Sequence, residues 1–130
     1  MDKDRYEIGL KIRKSVLGAD YVEKALSTAD DFNMPMQELT TEYCWGAVWG
    51  RETLPLKIRS MLNLAMISSL NRPHELKTHI KAAPGNGLTR DEIKEAILQL
   101  AIYAGVPCAI DTMRVAKDAL AELDAETKKG

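Results

Sequence analysis

The chain has 130 residues, 45% hydrophobic and 28% charged, with 18 basic and 19 acidic side chains and a net charge of −1. That length and composition fit a single domain, 1–130, with a core of its own, and exclude a disordered chain. The balanced charge, with no long basic run, excludes electrostatic capture of nucleic acid or of an anionic membrane. The N-terminal MDKDRYEIGLKIRK is charged throughout and lacks the apolar run of a signal peptide. No stretch reaches the ~18 consecutive apolar residues of a membrane span. A cytoplasmic protein with two free thiols, Cys44 and Cys108, is expected. No C-x-x-C and no His/Cys spacing suits zinc, so no metal site is expected.

Almost everything reads as helix. Residues 3–17 carry apolar side chains near helical spacing (Tyr6, Leu10, Ile12 or Arg13, Leu17), and Gly18 suits a stop. A second helix begins near Asp20, a plausible N-cap. Pro35 interrupts at DDFNMP, and helix returns from Met36 to about Gly50, with Leu39, Tyr43 and Gly46 on one face. After RETLP, with Pro55 in a first turn, a helix apolar on nearly all sides runs to about Leu70. That helix is either central or buried at a subunit interface. Asn71 can cap the next helix, NRPHELKTHIKAA, which Pro84, Gly85 and Gly87 end. Thr89 and Glu92 form a capping box for RDEIKEAILQLAIYA, which stops at Gly105. Pro107 opens a last helix to about Leu123, and residues 124–130 should fray. Period-two strand patterns are absent, so the fold class is all-α, with six or seven helices.

Both histidines lie in the 71–83 stretch. His79 follows Glu75 by one turn and borders the stripe of Leu76, Ile80 and Ala83, at the edge of a buried face. His74, in the first turn, should be wetter. His79 is either a rim residue with a surface partner or a group facing a pocket. Arg59, inside the most apolar helix, needs anionic company: a structural acid such as Glu95, or a substrate carboxylate held by two bonds. YCWGAVWGR gathers Tyr43, Trp45, Trp49 and Arg51, which suits a pocket wall or plain core and interface packing. Neither cysteine has a basic neighbour in sequence, so both read as inert thiols. Asp30 and Asp31 read as solvated loop acids, and Asp91, Glu92 and Glu95 as acids favoured near a helix N-terminus.

Three segments, YCWGAVWGR, RSMLNLAMISSLNRPHELKTHIKAA and AIYAGVPCAIDTMRVA, together resemble the carboxymuconolactone decarboxylase family, and the similarity extends over roughly residues 1–122. The resemblance implies an AhpD-like helical bundle and a cofactor-free decarboxylase. The implied reaction converts 4-carboxymuconolactone to the 3-oxoadipate enol-lactone in the protocatechuate branch of the β-ketoadipate pathway. It also implies a homo-oligomer, commonly a trimer-of-dimers hexamer. Thiol peroxidases of the same superfamily carry C-x-x-C-x-x-x-H, and the matching positions here are Arg72, Glu75 and His79. The cysteines are missing and the histidine remains, which argues against peroxidase chemistry. The resemblance makes His79 the candidate proton donor and Glu75 its orienter. It makes Arg59 and Arg51 candidates for gripping the substrate's carboxylates, and Tyr43 and Trp45 candidates for walling the pocket or donating to the oxyanion. A thiol-dependent peroxidase or a non-enzymatic helical oligomer are the competing readings.

Overall fold

A helix starts where a side chain can answer its first free amides. In the computed structural model, which describes residues 1–129, Asp2 does this for α1 (Lys3–Leu17) by accepting the Arg5 amide at 3.0 Å. At the other end Gly18, with φ 96°, stops the helix. The chain divides into two compact units, Met1–Leu56 and Lys57–Gly130.

The first unit continues with α2 (Ala19–Ser27), α3 (Met34–Leu39) and a π-helical segment (Thr40–Val48) that prolongs α3. Its core is Val16, Trp45 and Trp49, with Ile12, Leu17 and Leu56 packed around them. The tryptophan rings are 4.7 Å apart, tilted by 38°. The wide turn is visible in the Trp49 amide, which donates to the Cys44 carbonyl five residues back at 3.0 Å. Two glycines let α1 approach this segment backbone to backbone. A Cβ at Gly9 would run into the Thr41 carbonyl oxygen and lie 2.7 Å from the Gly46 nitrogen. A Cβ at Gly46 would run into the Arg5 carbonyl oxygen.

The second unit holds α4 (Leu56–Ser69), α5 (Pro73–Ala82), a 3₁₀ turn (Pro84–Asn86), α6 (Arg90–Ala104) and α7 (Val106–Lys129). Its core is Leu64 from α4, Leu76 and Ile80 from α5, Ile93 and Ile97 from α6, and the small Ala109, Ala116 and Ala119 of α7. The capping box forms as expected: Thr89 Oγ1 accepts the Glu92 amide at 3.1 Å, and Glu92 accepts the Thr89 amide at 3.0 Å. Gly105, at φ 102°, separates α6 from α7.

The all-α class holds, and among the described residues there are seven α-helices. Several boundaries move. Helix α2 starts one residue before Asp20, which sits in its first turn, and its cap is Gly18. Helix α3 starts at Met34, because a first turn tolerates Pro35's missing amide. Pro55 stands just outside α4, not in its first turn. Asn71 does not cap α5. It takes a left-handed φ of 55°, and Arg72 occupies the cap position without a side-chain bond. Of residues 124–130, expected to fray, 124–129 stay helical and 130 lies outside the described residues. Here α7 is tied down by Lys81–Glu126 at 2.6 Å, Arg90–Asp124 at 2.6 Å and the Lys77–Glu122 pair. Helix α4 is not buried all round: Leu64 is 1% exposed, whereas Leu62 and Met66 are 45% and 52% exposed. Within the π segment the expected shared face dissolves, since the wider turn changes the rotation per residue. Leu39 and Tyr43 are exposed while Gly46 is tucked against Arg5.

The backbone contact generates a test. Gly9→Ala and Gly46→Ala should each lose stability at or above the upper end of the ~1–3 kcal/mol typical of overpacking, because the obstructing atoms are main chain. Gly85→Ala, which meets open space, should stay within ~0.5 kcal/mol. Urea denaturation of the three variants measures the contrast.

Candidate functional site

In the second unit the apolar stripe of α5 decides where its polar side chains lie. Leu76 and Ile80 are 3% and 0% exposed, so the helix can rotate little without losing its core. That rotation leaves His79 half-buried beside Ile80, Glu75 exposed one turn earlier, and His74 exposed. Two effects act on the imidazole. Burial lowers its pKa below the ordinary 6.5, and the Glu75 charge pulls it back up by less. Glu75 therefore does not raise the histidine above its usual range, as a pair of surface groups would; desolvation wins. Arg59 lies on α4, half-buried beside the buried Ser60.

In the first unit Tyr43, Trp45 and Arg51 sit on or just after the π segment. Tyr43 is 50% exposed, with the Arg5 guanidinium 5.3 Å from its ring centroid. Trp45 is 3% exposed and belongs to the core with Trp49. Arg51 is exposed, its amide donating to the Val48 carbonyl at 3.1 Å. The structure thus groups Glu75 with His79 on one helix and Tyr43 with Trp45 on one segment.

Two hollows open in the second unit. An apolar groove of about 950 Å³ runs between α4 and α6, walled by Leu62, Met66, Leu100 and Tyr103, with Asp91 and Glu95 along one side. A smaller cavity of about 150 Å³ is lined by Arg72, Cys108 and Asp111. The Cys108 thiol donates to the Ser68 carbonyl at 3.3 Å. Among the described residues no three His, Cys, Asp or Glu side chains are grouped to hold a metal ion. None of their helices is long and apolar enough to cross a membrane.

Two buried charges beside the π segment lie outside the candidate site residues, although the helical spacing of residues 3–17 offers Arg13 as an alternative to Ile12 on their stripe. Glu42 is 6% exposed; it accepts the Asp2 amide at 2.9 Å and lies 3.8 Å from Arg5. Arg13, also 6% exposed, donates to Thr41 Oγ1 at 3.2 Å. A signal for Arg13 existed, since it shares the stripe of Gly9 and Val16. Its charge also reaches Cys44, although burial has the larger effect and leaves that thiol's pKa raised.

Residues 35–118 match the carboxymuconolactone decarboxylase family. The chain is 38% identical over 128 residues to the 4-carboxymuconolactone decarboxylase of Acinetobacter baylyi, covering 98% of this chain and 96% of that one. It is 43% identical over 118 residues to a nitrosuccinic acid decarboxylase of Metarhizium robertsii, covering 91% of this chain and 82% of that one. A 4-carboxymuconolactone decarboxylase sequence from Pseudomonas putida aligns over 45 residues at 38% identity, covering 35% of this chain and 94% of that one.

The depressed imidazole pKa couples His79 to stability. Its folded value lies below the unfolded 6.5, so the unfolded chain takes the proton first as pH falls. The contribution is intact above about pH 6.5 and is lost as pH drops below it toward the folded value. Thermal unfolding between pH 7.5 and 5 should show a steeper acid decline for the native chain than for His79→Gln. Identical slopes would show that burial does not govern this histidine.

Proposed function

This chain belongs to the carboxymuconolactone decarboxylase family and is a decarboxylase, a carboxy-lyase, and we propose that it converts 4-carboxymuconolactone to the 3-oxoadipate enol-lactone in the protocatechuate branch of the β-ketoadipate pathway, in the cytoplasm. The observation that carries this is the similarity to the Acinetobacter enzyme over nearly the whole of both chains.

The chemistry asks little beyond binding, charge and a proton. The departing carboxylate sits on the ring carbon beside the ring oxygen. As CO2 leaves, its electron pair flows through the C=C into the lactone carbonyl and gives a 2-oxyfuran-like dienolate. The substrate carries its own electron sink, so no cofactor is required. Each turnover consumes one proton, because a carboxylate anion becomes a C–H bond and neutral CO2. The site must hold two carboxylates, stabilise the oxyanion and deliver that proton. In this reading Arg59 holds a carboxylate, His79 gives the proton and Glu75 orients its ring; the resemblance offers Arg51 for the second carboxylate and Tyr43 for contact with the substrate, while Trp45, buried with Trp49, packs in the core. Burial keeps the resting imidazole largely neutral at pH 7, and a doubly anionic substrate beside it restores the charged, proton-giving form. Arg72 and Glu75 occupy the positions where the peroxidases have cysteines, which disfavours thiol chemistry.

The Metarhizium relative supports a second substrate. Nitrosuccinic acid is butanedioic acid with a nitro group on one carboxylate-bearing carbon. Loss of CO2 there leaves a nitronate, again stabilised by the substrate's own group. Both substrates share a carboxylate on a carbon joined to an electron sink and a retained –CH2–COO⁻ arm. One constellation of cations and one acid serves either.

We also place a second copy of the chain over the exposed apolar side of α4 and α6, where Met66, Ile102 and Tyr103 are 52%, 78% and 86% exposed. A homo-oligomer, as large as a hexamer built from three dimers, would cover it.

Ultraviolet absorbance of the lactone and CO2 release from nitrosuccinate, measured on the purified protein, decide between the substrates; turnover of neither removes the reading. His79→Ala should lower kcat by ~10²–10⁴-fold with the fold intact, whereas His74→Ala should be near neutral. kcat/KM should fall with rising pH from a pKa below 6.5. Cys44→Ala and Cys108→Ala should retain most activity. A stable 14.5 kDa species in sedimentation at micromolar concentration would contradict the oligomer.

A further inference from the structure

Arg13 raises a separate question. It is 6% exposed, and arginine is rarely buried without an acid beside it. Among the described residues its hydrogen-bond partner is a neutral hydroxyl, Thr41 Oγ1 at 3.2 Å, and its Nε is closed off from solvent without an acceptor. The buried acid of the same unit is engaged elsewhere, since Glu42 accepts the Asp2 amide at 2.9 Å and lies 3.8 Å from Arg5. The Thr41 hydroxyl proton is also spoken for, donated to the Gln37 carbonyl at 2.7 Å. Thr41 therefore offers Arg13 a lone pair that orients the guanidinium plane, and does nothing to balance its charge.

An uncompensated buried cation is costly, and native structures keep one where a ligand supplies the missing anion. The surroundings agree. Thr41 belongs to the π segment, a type of distortion found often at functional sites. Cys44 of the same segment is exposed, and its thiol feels Arg13's charge, although burial has the larger effect. With Nη1 turned to Thr41, the edge bearing Nε is the one left to grip an anion, and that edge matches the two oxygens of a planar carboxylate.

We propose that Arg13, its plane set by Thr41, is an anion site of the first unit that takes a small carboxylate. Because its edge is covered over in the unliganded chain, neighbouring side chains must yield for the acid to seat, which favours a compact carboxylate over a bulky one. The site does not depend on which acid the enzyme decarboxylates.

The test uses the full chain carrying Cys108→Ala, so that Cys44 is its one thiol, and titrates sodium acetate against sodium chloride at matched ionic strength. Two quantities are read: the thermal midpoint and the rate at which iodoacetamide alkylates Cys44 near pH 8. Arg13's charge favours the reactive thiolate, so an anion neutralising it should slow alkylation several-fold while raising the midpoint. Both responses should saturate, and Arg13→Met should lose both. Acetate behaving like chloride, or a response that survives in Arg13→Met, overturns the site. So does a response that changes with protein concentration, which would assign the anion to an acid of a second copy. Should Arg13→Met not fold, Thr41→Val keeps the guanidinium but frees its plane. It must then move the acetate response to higher concentration, and an unchanged response equally overturns the proposal.

Discussion

The buried contact between α5 and α7 governs the second unit. Leu76 and Ile80 insert against a stripe of alanines, Ala109, Ala116 and Ala119, small enough for the two helices to come close. Interiors are packed densely enough that such a stripe fixes a helix's rotation as well as its place. Once α5 cannot rotate, His79 has to stand at the edge of the core and Glu75 has to stand in water. The depressed imidazole pKa follows from that placement, because the carboxylate that could oppose desolvation is itself well solvated. Ion pairs from Lys77 and Lys81 to Glu122 and Glu126 reinforce the contact on its outer side.

What could be read in the sequence was what local chemistry decides. Thr89 with Glu92, and the stops at Gly18 and Gly105, all act within a few residues, and their helix ends lie where those residues predict. The adjacency of Glu75 and His79, and the half-buried position of the histidine, followed from helical spacing alone. What could not be read depends on atoms distant in the chain. The π segment packs against Gly9, about thirty residues upstream, so closely that a Cβ there would meet the Thr41 carbonyl oxygen, and nothing inside TTEYCWGAV announces that contact. The direction of the His79 shift required knowing how deeply the ring is covered. Asn71 looked like a cap, yet its left-handed backbone sends the chain round a corner instead. Residues 124–129 looked like a loose end because their ion-pair partners lie on α5 and α6.

The family's chemistry is economical in what it demands of the fold. A substrate that accepts its own electrons needs neither metal nor flavin, and a helical scaffold can serve it with a few charged side chains. The cysteine positions of the peroxidase relatives carry Arg72 and Glu75, while the histidine position keeps His79. The two decarboxylase relatives, one acting on a lactone and one on a nitro acid, fit the same logic. What the substrates have in common is the position of the electron sink relative to the leaving carboxylate.

The π segment also bears on how this chain tolerates change in length. An α-helix advances about 100° per residue, so deleting one residue from α6 would swing every later side chain to another face and undo its core. The stretch Thr40–Val48 already holds a turn wider than an α-helix. Removing one residue there would tighten that turn toward ordinary α geometry while leaving the helix before it and the chain after it close to their present phase. Insertions and deletions among relatives should therefore gather at this segment and be scarce in α4 to α7. The same nine residues that hold the wide turn would absorb, as a change of pitch, a shift in register that a regular α-helix has no means to accommodate.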